Sequence, residues 1–241
     1  MYMTLYEMLK TGVQTMGIAL NDDRINKLVA YHEMLTAANR VMNLTRVSDD
    51  LREAADRNYL DSISPLCYPT LFSGVKTLVD VGSGAGFPGI PLAIARDDIH
   101  ITMIDALGKR VNFLNDVIAQ LKLNARAIHM RSEDAGRDKS LREQFDCATA
   151  RAVAGMNVLS ELCLPFVKVG GEMIAYKGPS LEEELAVAQS AIETLGGRVR
   201  GILPVEIPGR DWAHQLLVID KIRPTPVGFP RKAGEPGRKP L

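Results

Sequence analysis

The clearest chemical content in the chain lies in Asp80-Val81-Gly82-Ser83-Gly84-Ala85-Gly86-Phe87-Pro88-Gly89. A β-branched run, Thr77 to Val81, leads in, and a compact apolar helix, Pro88 to Arg96, leads out. Closely spaced glycines between strand and helix let the backbone approach a ligand that a Cβ would hold off. Two ligand classes match the spacing. Gly84, Gly86 and Gly89 satisfy the G-x-G-x-x-G of dinucleotide sites, while Asp80, Gly82, Gly84 and Gly86 satisfy the acid-x-G-x-G-x-G of S-adenosylmethionine (SAM) sites. A bare tight turn is a third reading, but it requires fewer glycines and no flanking acids.

Charge separates the first two. A dinucleotide lays its pyrophosphate on the loop and the helix N-terminus, where Asp80 would repel it. SAM presents an ammonium and a sulfonium, which a carboxylate favours. Register agrees, because the dinucleotide reading leaves Gly82-Ser83 between the strand and its first glycine. Asp105, closing a second apolar strand from Ile99 to Ile104, suits ribose hydroxyls in either case.

The elements that must position these residues follow from periodicity. The first 65 residues read as helices. Asn21 with Asp22 and Asp23 is an N-cap, followed at helical spacing by Ile25, Leu28, Val29, His32 and Leu35. Ser48 with Asp49 and Asp50 opens another helix, which Pro65 and Pro69 stop. Beyond residue 76, strands alternate with helices. Lys109 to Leu121 is helical, Ala125 to Met130 and Phe145 to Ala150 are strands, and Val158 to Val167 is a helix. Gly171 to Tyr176 is a strand, Leu181 to Leu195 a helix, and two late strands lie around Val199–Val205 and Gln215–Ile219. This alternation means βαβ crossovers and a mostly parallel sheet. The last two strands lack a helix between them, so one is expected antiparallel at the sheet edge. Arg223 to Leu241, rich in Pro, Gly and cations, is the stretch expected to lack regular structure.

Composition narrows the class. With 241 residues, 46% apolar and 24% charged, the chain is an ordinary globular sequence. No apolar run is long enough to span a bilayer. Met1 to Glu7 shows neither a basic n-region nor an apolar h-region, so secretion is not expected, and the cysteine usage points to a reducing cytoplasm. Cys67, Cys147 and Cys163 form no C-x-x-C pair, so no metal site is expected. The 29 cations and 29 acids cancel, which at first argues against a nucleic-acid partner. The zero is an average, however: residues 221–241 hold six cations and one acid, and the body carries the opposite excess.

Asp80 to Pro91 (DVGSGAGFPGIP), Asp105 to Leu114 (DALGKRVNFL), Arg151-Ala-Val-Ala154 and Tyr176-Lys-Gly178 together resemble the small-subunit rRNA methyltransferase G family, also called glucose-inhibited division protein B. Asn43-Leu44-Thr45, Arg57 to Ser62 and Phe229 to Gly234 extend the resemblance, which covers about residues 20–241. It implies an α/β class I SAM-dependent methyltransferase fold, Rossmann-like, with a mostly parallel seven-stranded sheet. An N-terminal helical region (1–70) would pack on a SAM-binding core (71–222) that a basic tail (223–241) follows. The implied reaction is methylation of N7 of a guanine, guanine 527 in the 530 loop of bacterial 16S rRNA. The implied partners are 16S rRNA or the small ribosomal subunit, with no membrane and a monomeric enzyme. Gly82, Phe87, Ser132, Glu133 and Arg151 would join Asp80, Gly84, Gly86 and Asp105 at the cofactor. The family usually has His where this chain has Asn58, and its ending is more uniformly basic than Glu235 to Pro240.

Guanine N7 carries a lone pair and no proton, so no general base is needed. The sequence agrees by omission, since Phe145 to Arg151 stands where amino-group methyltransferases carry [N/D]-P-P-[Y/F]. Arg151 and Lys177 are candidate positioning groups, and no residue is an obligatory catalyst. Cys147, inside an apolar strand, reads as core rather than as a nucleophile. Lys109, Arg110, Arg231 and Lys232 are the cations expected at RNA. The alternatives are a methyltransferase acting on another RNA or a small molecule, and a catalytically silent module that binds SAM or RNA.

Overall fold

The computed structural model describes residues 3–42, 44, 48 and 50–241. Asn43, Thr45 and Asp49, which belong to expectations above, lie outside the described residues. α1 (Leu5–Thr15) opens with a capping box in which Thr4 and Glu7 satisfy each other's backbone amides. α2 (Asp22–Met42) starts where expected, with Asn21 Oδ1 accepting from the Arg24 amide at 3.0 Å. Its buried face is Ile25, Leu28, Tyr31 and Leu35, whereas Val29 and His32 lie at the margin. The next helical segment is capped at Asp50. It runs as α3 (Leu51–Ala54), a π-helical turn (Ala55–Leu60), α4 (Asp61–Ile63) and a 3-10 turn (Ser64–Cys67) that contains Pro65.

The core alternates as the sequence predicts, with the addition of a short α7: β1 (Thr77–Val81), α5 (Gly89–Ala95), β2 (His100–Asp105), α6 (Gly108–Leu121), β3 (Ala125–His129), α7 (Ser132–Ala135), β4 (Phe145–Arg151), α8 (Met156–Cys163), β5 (Val167–Lys177), α9 (Leu181–Thr194), β6 (Gly197–Val205) and β7 (His214–Lys221). Helix α8 stops at Cys163, and a 3-10 turn at Leu164–Phe166 carries Pro165, so Val167 already belongs to β5.

The seven strands pair in the order β3-β2-β1-β4-β5-β7-β6. β7 runs antiparallel to both β5 and β6. An antiparallel pairing at the sheet edge is therefore present, as expected, and the strand that runs against the rest of the sheet is β7, one place in. β6 takes the edge. Both faces of β7 are buried, with Leu216 and Val218 on one and Leu217 and Ile219 on the other, a pattern suited to an interior strand.

Strand alternation divides the core into two layers. Leu78, Ile101, Met103 and Ile174 face one side, covered by α1, α2, α5 and α6. Val79, Val81, Ile104, Met173 and Ala175 face the other, covered by α8 and α9. Leu28 and Leu35 are fully buried, and such burial contributes about 2 kcal/mol per side chain. The N-terminal helices thus share one continuous core with the sheet. No helix among the described residues is long and apolar enough to cross a membrane.

Residues 223–241 do not form a free tail. They lie against α7 and α8 and include a short helix, α10 (Glu235–Arg238). This differs from the expected irregular terminus, and the cause is a set of buried polar anchors described below.

Candidate cofactor and methyl-transfer site

The glycine loop leaves β1 at the carboxyl edge of the sheet, beside the ends of β2 and β4. Its backbone amides are turned inward. Gly82 and Ser83 donate to the Ile104 carbonyl at 2.8 and 3.2 Å, Gly84 to Asp105 Oδ2 at 2.9 Å, and Gly86 and Phe87 to the Ser83 carbonyl at 2.8 and 3.1 Å. A pyrophosphate cradle needs such amides pointing at the anion. The inward-turned amides form no such cradle, which argues against a dinucleotide.

Asp80 adds to that argument. It is fully buried, its Oδ2 accepts from the Gly89 amide at 3.1 Å, and its Oδ1 meets no donor. Burial pushes its pKa up to about 7, against the opposing effects of local hydrogen bonds and of Arg151. A cation nearby would compensate that carboxylate, and the donor set thus suits the ammonium and sulfonium of SAM.

The glycines have different reasons. Gly82 sits at φ +72°, and a Cβ there would lie 2.9 Å from Val153 Cγ2, after the end of β4. Gly84, at φ +59°, has open space where its side chain would be. Gly86 is a packing glycine: a Cβ would lie 2.7 Å from both Ile90 and the Tyr31 hydroxyl. Asp105 holds Gly84 through Oδ2 and the Leu107 amide through Oδ1 at 2.9 Å, with Arg110 3.3 Å away. Its carboxylate shapes the loop.

Phe87 is buried among Tyr31 and Tyr59, with ring centroids 5.5 and 5.8 Å away, and the Arg151 guanidinium lies 5.1 Å from its centroid. Arg151 ends β4. Its Nη1 donates to Asp61 Oδ2 at 2.8 Å and to the Arg57 carbonyl at 2.6 Å. The other Asp61 oxygen is 3.0 Å from His214 Nδ1, at the start of β7. Lys177, ending β5, donates to Glu184 at 2.7 Å and to the Ala154 carbonyl at 2.8 Å. Asn58, Asp61, Arg151, Lys177, Glu184 and His214 line a cavity of about 610 Å³ that reaches Val153, next to Gly82. Cys147 is buried within β4, and burial pushes its thiol well up, as a core residue requires.

The structure thus brings together Asp80, Gly82, Gly84, Gly86, Phe87, Asp105 and Arg151, with Lys177 across the cavity. Ser132 and Glu133 start α7, after β3, where Glu133 Oε1 accepts from the Gly234 amide at 2.7 Å. Lys109 is exposed in the first turn of α6, and Lys232 is exposed in the C-terminal segment. Arg231, expected among the RNA-contacting cations, turns inward onto Glu161 instead. Sequence reasoning missed Tyr31, Asp61 and His214. Tyr31 falls on the helical spacing of Ile25, Leu28 and Leu35, which was a usable signal. Asp61 lies in the family-like stretch Arg57 to Ser62, but its pairing with His214, 153 residues away, offered no signal.

A family model described as rRNA small subunit methyltransferase G matches residues 24–210. The chain belongs to the rRNA small subunit methyltransferase G family. It is 47% identical over 240 residues to the ribosomal RNA small subunit methyltransferase G of Clostridium perfringens (strain 13 / Type A), covering 99% of this chain and all of that one. The protein of the same name from Lactobacillus johnsonii is 46% identical over 227 residues, covering 93% and 95%. Among solved structures, P. horikoshii TYW2 in complex with MeSAdo superposes with a TM-score of 0.50 at 14% identity, over 74% of this chain and 65% of that one. That likeness concerns the fold alone. Membership makes this chain a SAM-dependent rRNA methyltransferase.

Proposed function

We propose that this rRNA small subunit methyltransferase G family member methylates N7 of a guanine in the 530 loop of 16S rRNA, acting as a cytoplasmic monomer. The observation that carries the N7 assignment is the state of the cavity's ionisable groups. Arg151 is neutralised by Asp61, Lys177 by Glu184, and Cys147 is buried away from the site. When bound, SAM supplies a methyl group on a sulfonium, electrophilic enough for a neutral lone pair. N7 offers such a pair and no proton, so the chain needs only to hold the base and keep water out. The reaction moves positive charge onto the guanine, and a cavity whose cations are paired opposes that movement less than one with bare cations.

Asp80, Gly82, Gly84, Phe87, Asp105, Ser132, Glu133 and Arg151 are assigned to the cofactor, with Gly86 supporting the loop from behind. Lys109, Arg110 and Lys232 are assigned to the RNA backbone. N7 lies in the deep groove of A-form RNA, so the guanine must be looped or splayed out.

A second reading rests on His214 and Asp61, which could serve as a base for an acceptor that must lose a proton. Arg151 weakens it, since it already neutralises the carboxylate that would stabilise an imidazolium. Small subunits incubated with the enzyme and radiolabelled SAM decide between them. The expected product is 7-methylguanosine mapping to the 530 loop. Label in any other nucleoside, or at another position, overturns the proposal.

A further inference from the structure

The last 21 residues carry six cations and one acid, the composition of an RNA-binding arm, yet their principal cation points into the protein. Glu161 of α8 has no solvent exposure, and Arg231 grips it fork to fork. Nε lies 3.0 Å from Oε1 and Nη2 2.5 Å from Oε2, while the Arg231 amide donates to Oε1 at 2.7 Å. A buried bidentate pair of this kind is strong in geometry and costly to break from one side.

The anchors continue in both directions. Arg142 donates to the Thr225 and Phe229 carbonyls at 2.7 and 2.6 Å, and Arg137 to the Pro230 carbonyl at 2.6 Å. Gly136, just after α7, lies so close that a Cβ would sit 2.9 Å from Pro230 Cγ. Past Arg231, the Gly234 amide reaches Glu133 Oε1 at 2.7 Å. The segment is a strap that runs from α8 to the carboxylate of α7.

We propose that this strap positions the cofactor site. Arg231 anchors it on Glu161, and its Gly234 amide sets the Glu133 carboxylate at the adenine end of the pocket. The inference rests on the assignment of Ser132 and Glu133 to the cofactor. Arg231 and Gly234 are positioning residues that act through Glu133. A hydrogen bond to one oxygen of a carboxylate fixes its rotamer and leaves the ligand less ordering to impose.

The test is calorimetry of SAM binding to the full chain. The Arg231→Met/Glu161→Met double variant removes both buried charges together, so no unpaired carboxylate remains. Arg231→Lys keeps the charge and loses the fork. Glu133→Ala reports on the underlying assignment directly. In the double variant the Kd and KM for SAM are expected to rise about tenfold, the loss of roughly one charge-assisted hydrogen bond. Arg231→Lys should fall between it and the parent. The kcat at saturating SAM and the salt dependence of RNA binding should stay where they were, which a loss of general stability or of an RNA contact would not produce.

A folded double variant with unchanged SAM affinity overturns the proposal, and Glu133→Ala then shows whether the assignment survives it. Unchanged affinity in Glu133→Ala as well removes both. Should the double variant fail to fold, Arg231→Lys decides: parental SAM affinity refutes the coupling, and weakened affinity at parental kcat supports it. A change in salt slope without a change in SAM affinity would make the strap an RNA arm after all.

Discussion

The Tyr31 hydroxyl donates to the Ala85 carbonyl oxygen at 2.6 Å, joining the long helix of the N-terminal region to the middle of the glycine loop. Tyr31 is fully buried, and its ring contacts Phe87, Tyr59 and Phe113. The N-terminal helices therefore act as part of the glycine loop's support. Tyr31→Phe leaves the ring packing intact and strips the Ala85 carbonyl of its donor. The expected cost is about 1–2 kcal/mol in stability, with weaker SAM binding. Thermal melts and calorimetry on the same preparation check both; unchanged SAM affinity would mean the bond serves the fold alone.

Asp80 makes stability and binding depend on pH in opposite senses. Its folded-state pKa, pushed up to about 7 by burial, lies above the ordinary carboxylate range. The folded state therefore holds the proton more tightly, and the Asp80 contribution to stability is greatest in acid and lost as pH rises toward 7. A cationic ligand favours the ionised form, so SAM affinity should increase between pH 6 and pH 8. Asp80→Asn keeps an oxygen for the Gly89 amide and removes the buried charge. It should stabilise the ligand-free protein at pH 8 by about 1–3 kcal/mol and sharply weaken SAM binding. Denaturant melts at pH 5.5 and 8 test the sign.

Gly86 and Gly84 should separate under the same substitution. Gly86→Ala drives a Cβ to 2.7 Å from Ile90 and Tyr31, which costs about 1–3 kcal/mol by overpacking on top of the strain of its own positive φ, +115°. Gly84→Ala meets open space and pays only the strain of its positive φ, roughly 1 kcal/mol. Its effect should appear in SAM affinity more than in melting temperature. Equal loss of stability in both variants would contradict this division.

Arg151 and Asp61 should behave as one unit. Arg151→Met leaves the Asp61 carboxylate with His214 alone, and Asp61→Asn leaves the guanidinium with the Arg57 carbonyl as its remaining strong acceptor. Each single change is expected to lower kcat/KM by more than tenfold, and the double variant by much less than the product, a coupling of about 1–3 kcal/mol. A double-mutant cycle in the subunit assay measures it, and additive effects would dissolve the pair.

What was legible in the sequence is what local chemistry specifies. The run into Asp80, the glycine spacing, the Asn21 cap and the alternation of strands and helices from residue 76 to 195 are all short-range signals. Each leaves a pattern within about ten residues because backbone sterics and hydrophobic period act over that distance. The basic composition of the C-terminal segment was equally plain, but its role was not. A cation's partner is not written beside it, and Arg231 meets Glu161 across 70 residues only after α8 and the strap have docked.

The same holds for strand order and for the cavity. Two consecutive strands without a helix announce a hairpin, but whether the second lies at the edge or beneath it depends on which faces the rest of the molecule covers. Here both faces of β7 are buried, so it enters between β5 and β6. The sequence by itself determined the class of fold, the glycine loop between β1 and α5, and the charge argument for SAM. Tertiary structure alone decided that Asp61 joins Arg151 to His214, that Tyr31 braces the loop, and that a tail resembling an RNA arm is an internal strap. The physical reason is that buried polar groups must find partners wherever packing places them, and packing is a property of the whole chain.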